Sequence, residues 1–154
     1  MSLLDAFLWL GETWPGQFLK ASTFAFSMVE SSHLLGLALL GGTVLAANLG
    51  ALRVIFRGTP AVAVADGVSR AFWIALSLVV VSGVLLVAAG PYKYYTNPLF
   101  PVKLVLLVVA LGLQVGVLAT MRREGAETLS RVLAGASLFF WLSTLVAGRW
   151  LGLI

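Results

Sequence analysis

Four stretches of this chain run without a single Asp, Glu, Lys or Arg: residues 34–52, 71–92, 104–121 and 132–148. Each approaches or reaches the roughly 17–25 mostly apolar residues that an α-helix needs to cross a bilayer. In hydrocarbon every backbone N–H and C=O must find its partner within the protein, so the helix is the element such stretches dictate. The whole chain agrees, with 60% hydrophobic and 10% charged residues, where a soluble domain holds roughly 45–50% and 25%. So little charge leaves too little polar surface to cover a water-soluble sphere. A cytosolic enzyme, a nucleic-acid-binding domain and a disordered tail are excluded. The expected fold class is all-α: an integral membrane four-helix bundle with the lipid bilayer as its first partner.

The bundle reads as one domain over residues 1–154, with spans at about 23–51, 70–90, 101–121 and 131–152. Gly90-Pro91 terminates the second span, while Pro98 and Pro101 precede or open the third, where a first helical turn tolerates proline. Residues 3–14 read differently. Leu3, Leu4, Phe7, Leu8 and Leu10 recur at helical spacing beside Asp5 and Glu12, and Trp14-Pro15-Gly16 follows. No basic residue precedes this apolar run and no small-residue cleavage site follows it, so a signal peptide is not expected. A short amphipathic helix ending at Pro15 is expected instead, lying in the interface with Trp9 and Trp14 at headgroup depth.

Orientation follows from the ten Lys and Arg residues. Arg53, Arg57 and Arg70 fall on the first connection between spans and Arg122, Arg123 and Arg131 on the third; Lys20, Lys93, Lys103 and Arg149 lie at the other end. The positive-inside rule then places the two arginine-rich connections in the cytoplasm. Both termini and the 92–100 loop would be periplasmic, in a bacterial inner (cytoplasmic) membrane. The net charge of +4 reads as this orientation signal, and no nucleic-acid partner is expected.

An ionisable side chain inside lipid is costly and asks for a reason. Glu30, His33, Lys103 and Arg149 all fall near the outer ends of their helices, within roughly 10–15 Å of the surface at 1.5 Å rise per residue. At 100° per residue, Glu30, Gly41 and Asn48 share one stripe to within about 20°, with His33 about 60° away. Lys103 and Gln114 share another. Gly112 and Gly116, and the series Ala38, Gly42, Ala46 and Gly50, are small-residue seams for close helix packing. These place Glu30, His33, Lys103 and Arg149 as the candidate cofactor-binding set, with His33 the candidate metal ligand. An ion pair of Glu30 with Lys103 or Arg149 would make the buried acid tolerable.

With one His and no Cys, zinc cages and thiol catalysis are out of reach, and no phosphate loop or nucleophile turn is present. No catalytic residue is expected. Haem b ligated by two histidines of one chain is impossible, and Met28 shares a helix with His33, which leaves a five-coordinate or protomer-shared haem. A quinone or lipid-like ligand needs less: a proton-carrying histidine beside a carboxylate and a counter-charge, roofed by the N-terminal helix and the 92–100 loop. A redox-accessory or ligand-binding membrane subunit is the leading expectation. It would work in a homo-oligomer or larger membrane complex, or with a periplasmic redox partner. The alternatives are a small transporter or channel along the Glu30–Asn48 stripe, and a purely structural subunit.

Trp14-Pro15, Glu30-x2-His33, Gly36, Gly41-Gly42, Arg53, Ser82-Gly83, Tyr94, Asn97-Pro98 and Phe100-x2-Lys103 occur in that order. This pattern resembles a family of small four-helix bacterial inner-membrane proteins of unknown function, over about 14–120. More loosely it is similar to copper-resistance-D-like and b-type-cytochrome membrane domains, which hold haem or metal through several histidines where this chain has one. The closer resemblance implies a matching set at Glu30, His33 and Lys103 without naming an activity.

Overall fold

The computed structural model describes residues 3–151, and every regular element among them is helical. In chain order these are α1 (Leu3–Glu12), α2 (Trp14–Ala21), α3 (Thr23–Ala51), α4 (Ala61–Ala89), α5 (Pro91–Thr96), α6 (Leu99–Met121) and α7 (Glu127–Leu151). Four of them, α3, α4, α6 and α7, are long and apolar enough to span a membrane, with mean hydropathies of 1.8, 2.6, 2.5 and 1.5. The expected all-α four-helix bundle is what the chain forms. Residue 152, where the last span was expected to end, lies outside the described residues.

Short connections make α3–α4 one hairpin and α6–α7 another, and the two hairpins meet mainly where α3 packs on α7. Leu40, Val44, Phe72, Val117, Ala134 and Trp141 belong to one continuous core drawn from all four helices. Lipid supplies no hydrophobic force between helices, so close backbone approach and interhelical hydrogen bonds must hold them. Gly36 allows the first: a methyl group there would lie 3.0 Å from Val79 Cγ2 and 3.2 Å from Leu78 Cγ. A fully buried amide pair supplies the second. Asn48 Nδ2 donates to Gln114 Oε1 and to the Val44 carbonyl, both at 2.8 Å, and Ser137 Oγ donates to the same Gln114 oxygen at 2.9 Å. Asn48 Oδ1 and Gln114 Nε2 have no partner among the described residues. Polar side chains of α3, α6 and α7 are thereby joined in the bundle interior.

The two ends of the bundle differ. At the arginine-rich end, Arg122 fastens α6 to α4, pairing with Asp66 Oδ1 at 2.8 Å and donating to Ser69 Oγ at 2.6 Å. At the aromatic end, α1 packs on α4 and α5, and α2 on α4 and α3. The Phe7 ring meets those of Tyr95 and Phe100 at 5.7 and 5.8 Å, while Trp9, Trp14 and Phe18 stay exposed.

Three local expectations change. Pro15 does not stop the N-terminal helical segment; it opens a second helix, α2, from a first turn where its missing N–H costs nothing. The break falls instead at Thr13, whose hydroxyl turns back to the Leu10 carbonyl at 2.6 Å. α4 begins at Ala61 rather than near residue 70, because Asp66 and Arg70 interrupt the charge-free run but sit exposed on a continuing helix. The small-residue seams are only partly used. Gly116 lies against Leu133 of α7 and Gly50 against Val64 of α4, whereas a methyl at Gly42 or Gly112 would meet nothing within 4 Å.

Candidate functional site

His33 stands in the N-terminal half of α3, and its Nδ1 lies 2.8 Å from Ser82 Oγ on α4. A serine hydroxyl has one proton to give. The Ser82 proton is directed at the Leu78 carbonyl of its own helix, 2.5 Å away. Ser82 Oγ therefore accepts, and the neutral imidazole donates from Nδ1. Nε2 is left as the lone-pair nitrogen, able to take a proton or a ligand. Gly83 makes room for the ring, since a methyl group there would lie 3.4 Å from His33 Cε1.

Lys103 enters from the first turns of α6, with its stem laid along α7. A methyl at Gly148 would lie 3.2 Å from Lys103 Cε and 3.3 Å from Nζ, so glycine is what lets the side chain pass. The residue is half-buried, and its charge is felt at His33. Its ammonium has no hydrogen bond or ion pair among the described residues. The structure thus pairs His33 with Ser82 across α3 and α4, with room made by Gly83, and lays Lys103 of α6 along Gly148 of α7, from where its charge reaches His33.

Glu30 and Arg149 do not join this group. Both are exposed, and the expected ion pair of Glu30 with Lys103 or Arg149 is not formed; the ion pair among the described residues is Arg122–Asp66, at the opposite end. Helical geometry puts Glu30 on the stripe of Asn48, but the edge of α3 that meets α6 at Asn48 is uncovered at Glu30. An exposed carboxylate keeps its water and needs no buried partner. Its charged influence falls on Tyr94 of α5. Burial first, and the Glu30 carboxylate second, hold the Tyr94 phenol above its usual range, so it stays a neutral hydrogen-bond donor. Tyr94 also packs its ring against Phe100 at 5.5 Å.

Among the described residues no three His, Asp or Glu side chains gather as a metal-binding group, so a metal at His33 would have at most two protein ligands of that kind. α3 and α4 close on each other at Gly36 and at Gly83, leaving no slot for a macrocycle between them. Sequence reasoning missed the serine that orients His33. Ser82 is invisible to a single-helix projection, and only the register of the α3–α4 hairpin reveals it: Gly50 faces Val64, Gly36 faces Val79, and His33 follows opposite Ser82.

A family model described as "Family of unknown function (DUF6644)" matches residues 6–154. No curated protein and no solved structure matches the chain, and the looser likeness to copper-resistance-D-like and b-type-cytochrome domains finds no support there.

Proposed function

Since the chain belongs to the DUF6644 family, whose function is unknown, its activity has to be argued from its own side chains, and we propose that it is a membrane ligand-binding subunit for a quinone-like amphiphile. One observation carries this reading. A single imidazole, donating through Nδ1 to Ser82, offers Nε2 as a base within the field of the Lys103 ammonium, which no acid among the described residues neutralises. A quinone head group carries carbonyl acceptors for the ammonium, and its reduced form carries hydroxyls that donate to Nε2. The rings of Phe7, Tyr94, Tyr95 and Phe100, packed on one another at the same end, give the apolar cover that a flat ring needs. Isoprenoid tails extend naturally into lipid along the exposed sides of the helices.

In this reading the arginine-rich connections face the cytoplasm and the site opens to the opposite leaflet of a bacterial inner membrane. The protein serves as a redox-accessory subunit, and a partner supplies or removes electrons. Two observations weigh against a polar path along the Glu30–Asn48 stripe. Glu30 is exposed, and Asn48 and Gln114 spend a hydrogen bond on each other.

The test is binding of a short-chain benzoquinol, kept reduced, to the purified full chain in nanodiscs, followed by tryptophan fluorescence. Lys103→Met should weaken binding at least about tenfold, the worth of one charge-assisted hydrogen bond of roughly 1.5–3 kcal/mol, and His33→Ala about fivefold, the worth of a neutral one of roughly 1 kcal/mol. Glu30→Gln and Arg149→Gln should change it less than about threefold, as exposed charges do. Equal binding by wild type, His33→Ala and Lys103→Met would remove the proposal.

A further inference from the structure

At the end of the bundle opposite His33, the connections between helices line a half-open cavity of about 420 Å³. Arg53, Arg122, Arg123 and Arg131 line it, together with the carboxylates of Glu124 and Glu127. Arginines at this end orient a membrane protein and need no cavity for that purpose. What exceeds that role is Ser130. It lines the cavity at 4% exposure, and its hydroxyl has no hydrogen-bond partner among the described residues.

Other helical serines of this chain close their hydroxyl onto the carbonyl one turn back. Ser32 does so with Met28, Ser69 with Ala65, Ser77 with Trp73 and Ser143 with Phe139. Ser130 leaves its donor open. It sits in the second turn of α7, just beyond backbone N–H groups that a helix start leaves without intrahelical partners. The basic side chains divide in two. Arg122 is held by Asp66 and Ser69, and Arg53 by the Thr59 carbonyl at 2.9 Å. The guanidinium groups of Arg123 and Arg131 make no hydrogen bond or ion pair among the described residues.

Arg53 adds a constraint of its own. It closes α3 with φ 59, the left-handed region that favours glycine.

We infer that this cavity binds a phosphate group, with Ser130 as hydroxyl donor and Arg123 and Arg131 as the charge-assisted partners. A planar guanidinium matches a phosphate's oxygens in pairs, and the volume leaves room for the organic part of a phosphoester. An anionic phospholipid headgroup and a soluble phosphate both present this chemistry. The site is independent of the quinone-like reading, since it shares no residue with it.

Thermal melting of the full chain in nanodiscs tests the inference with two probes. One is inorganic phosphate added to pure phosphatidylcholine discs; the other is phosphatidylglycerol built into the discs with no phosphate present. At least one should raise the melting midpoint of the wild type in a dose-dependent way. A response to phosphate assigns a soluble source, and a response to phosphatidylglycerol alone assigns the lipid. Arg131→Gln should weaken the responding arm at least tenfold and Ser130→Ala severalfold. Ser130→Ala should melt no lower than wild type without ligand, because the hydroxyl it removes makes no bond in the fold. Silence of both arms, or variants that respond like wild type, would overturn the site.

Discussion

Gly16→Ala should unseat the two N-terminal helices while leaving the four-helix core folded. A methyl group at Gly16 would lie 2.9 Å from the Gly11 carbonyl oxygen, 2.9 Å from that of Leu10 and 3.1 Å from that of Ala88. All three are backbone atoms of packed helices and cannot rotate aside as a side-chain tip can. Overpacking of this kind costs typically 1–3 kcal/mol, and three rigid neighbours put it near about 3. The loss stays local because the continuous core is drawn from α3, α4, α6 and α7. Amide hydrogen exchange should show residues 3–21 losing about a hundredfold in protection, since about 1.4 kcal/mol is tenfold. α6 and α7 should be unchanged. Gly42→Ala, where nothing lies within 4 Å, is the control and should be neutral or slightly stabilising. Phe7 reaches Tyr95 and Phe100 only while α1 is seated, so Gly16→Ala should also weaken quinone binding without touching His33.

Gln114→Leu should be the most disruptive change of one polar side chain. The leucine fills a comparable space but removes the oxygen that accepts from both Asn48 and Ser137. Interhelical hydrogen bonds within membranes average about 0.6 kcal/mol and reach about 1.7. Losing two, with the Asn48 amide left behind in an apolar interior, puts the cost near about 2 kcal/mol. Unfolding in mixed detergent micelles reads it directly. The double variant Asn48→Leu/Gln114→Leu should be no less stable than Gln114→Leu alone, because removing both partners leaves no stranded amide. If the two losses instead add, the amides act separately and do not join α3 to α6.

Much of this was legible before any coordinates. The spans follow from backbone hydrogen bonding in lipid, which forces long apolar runs into helices. The limits of that signal are physical too. Freedom from charge marks the part of a helix suited to hydrocarbon, so it missed the solvated start of α4 with exposed Asp66 and Arg70. Proline was read as a stop at Pro15 when it also suits a first turn. For the candidate site, shared depth found His33 and Lys103 but grouped them with Glu30 and Arg149, and helical angles set Glu30 on the stripe of Asn48. An angle says which residues share a face, and only packing between helices says whether another helix covers that face. Gly148, which lets Lys103 pass, and Ser82, which orients His33, belong to that second kind of information. So does Ser137, the third member of the amide network.

The most direct test of the account is the protonation of His33 itself. The chain has one histidine, so histidine labelled with nitrogen-15 gives the two nitrogens of one ring and no others. The spectrum is recorded at alkaline pH, where the imidazole is neutral. The account predicts the proton on Nδ1, a bare Nε2 that shifts when a short-chain benzoquinol is added, and loss of the Nδ1 preference in Ser82→Ala. A proton found on Nε2 in the wild type, or a tautomer indifferent to Ser82→Ala, would contradict it.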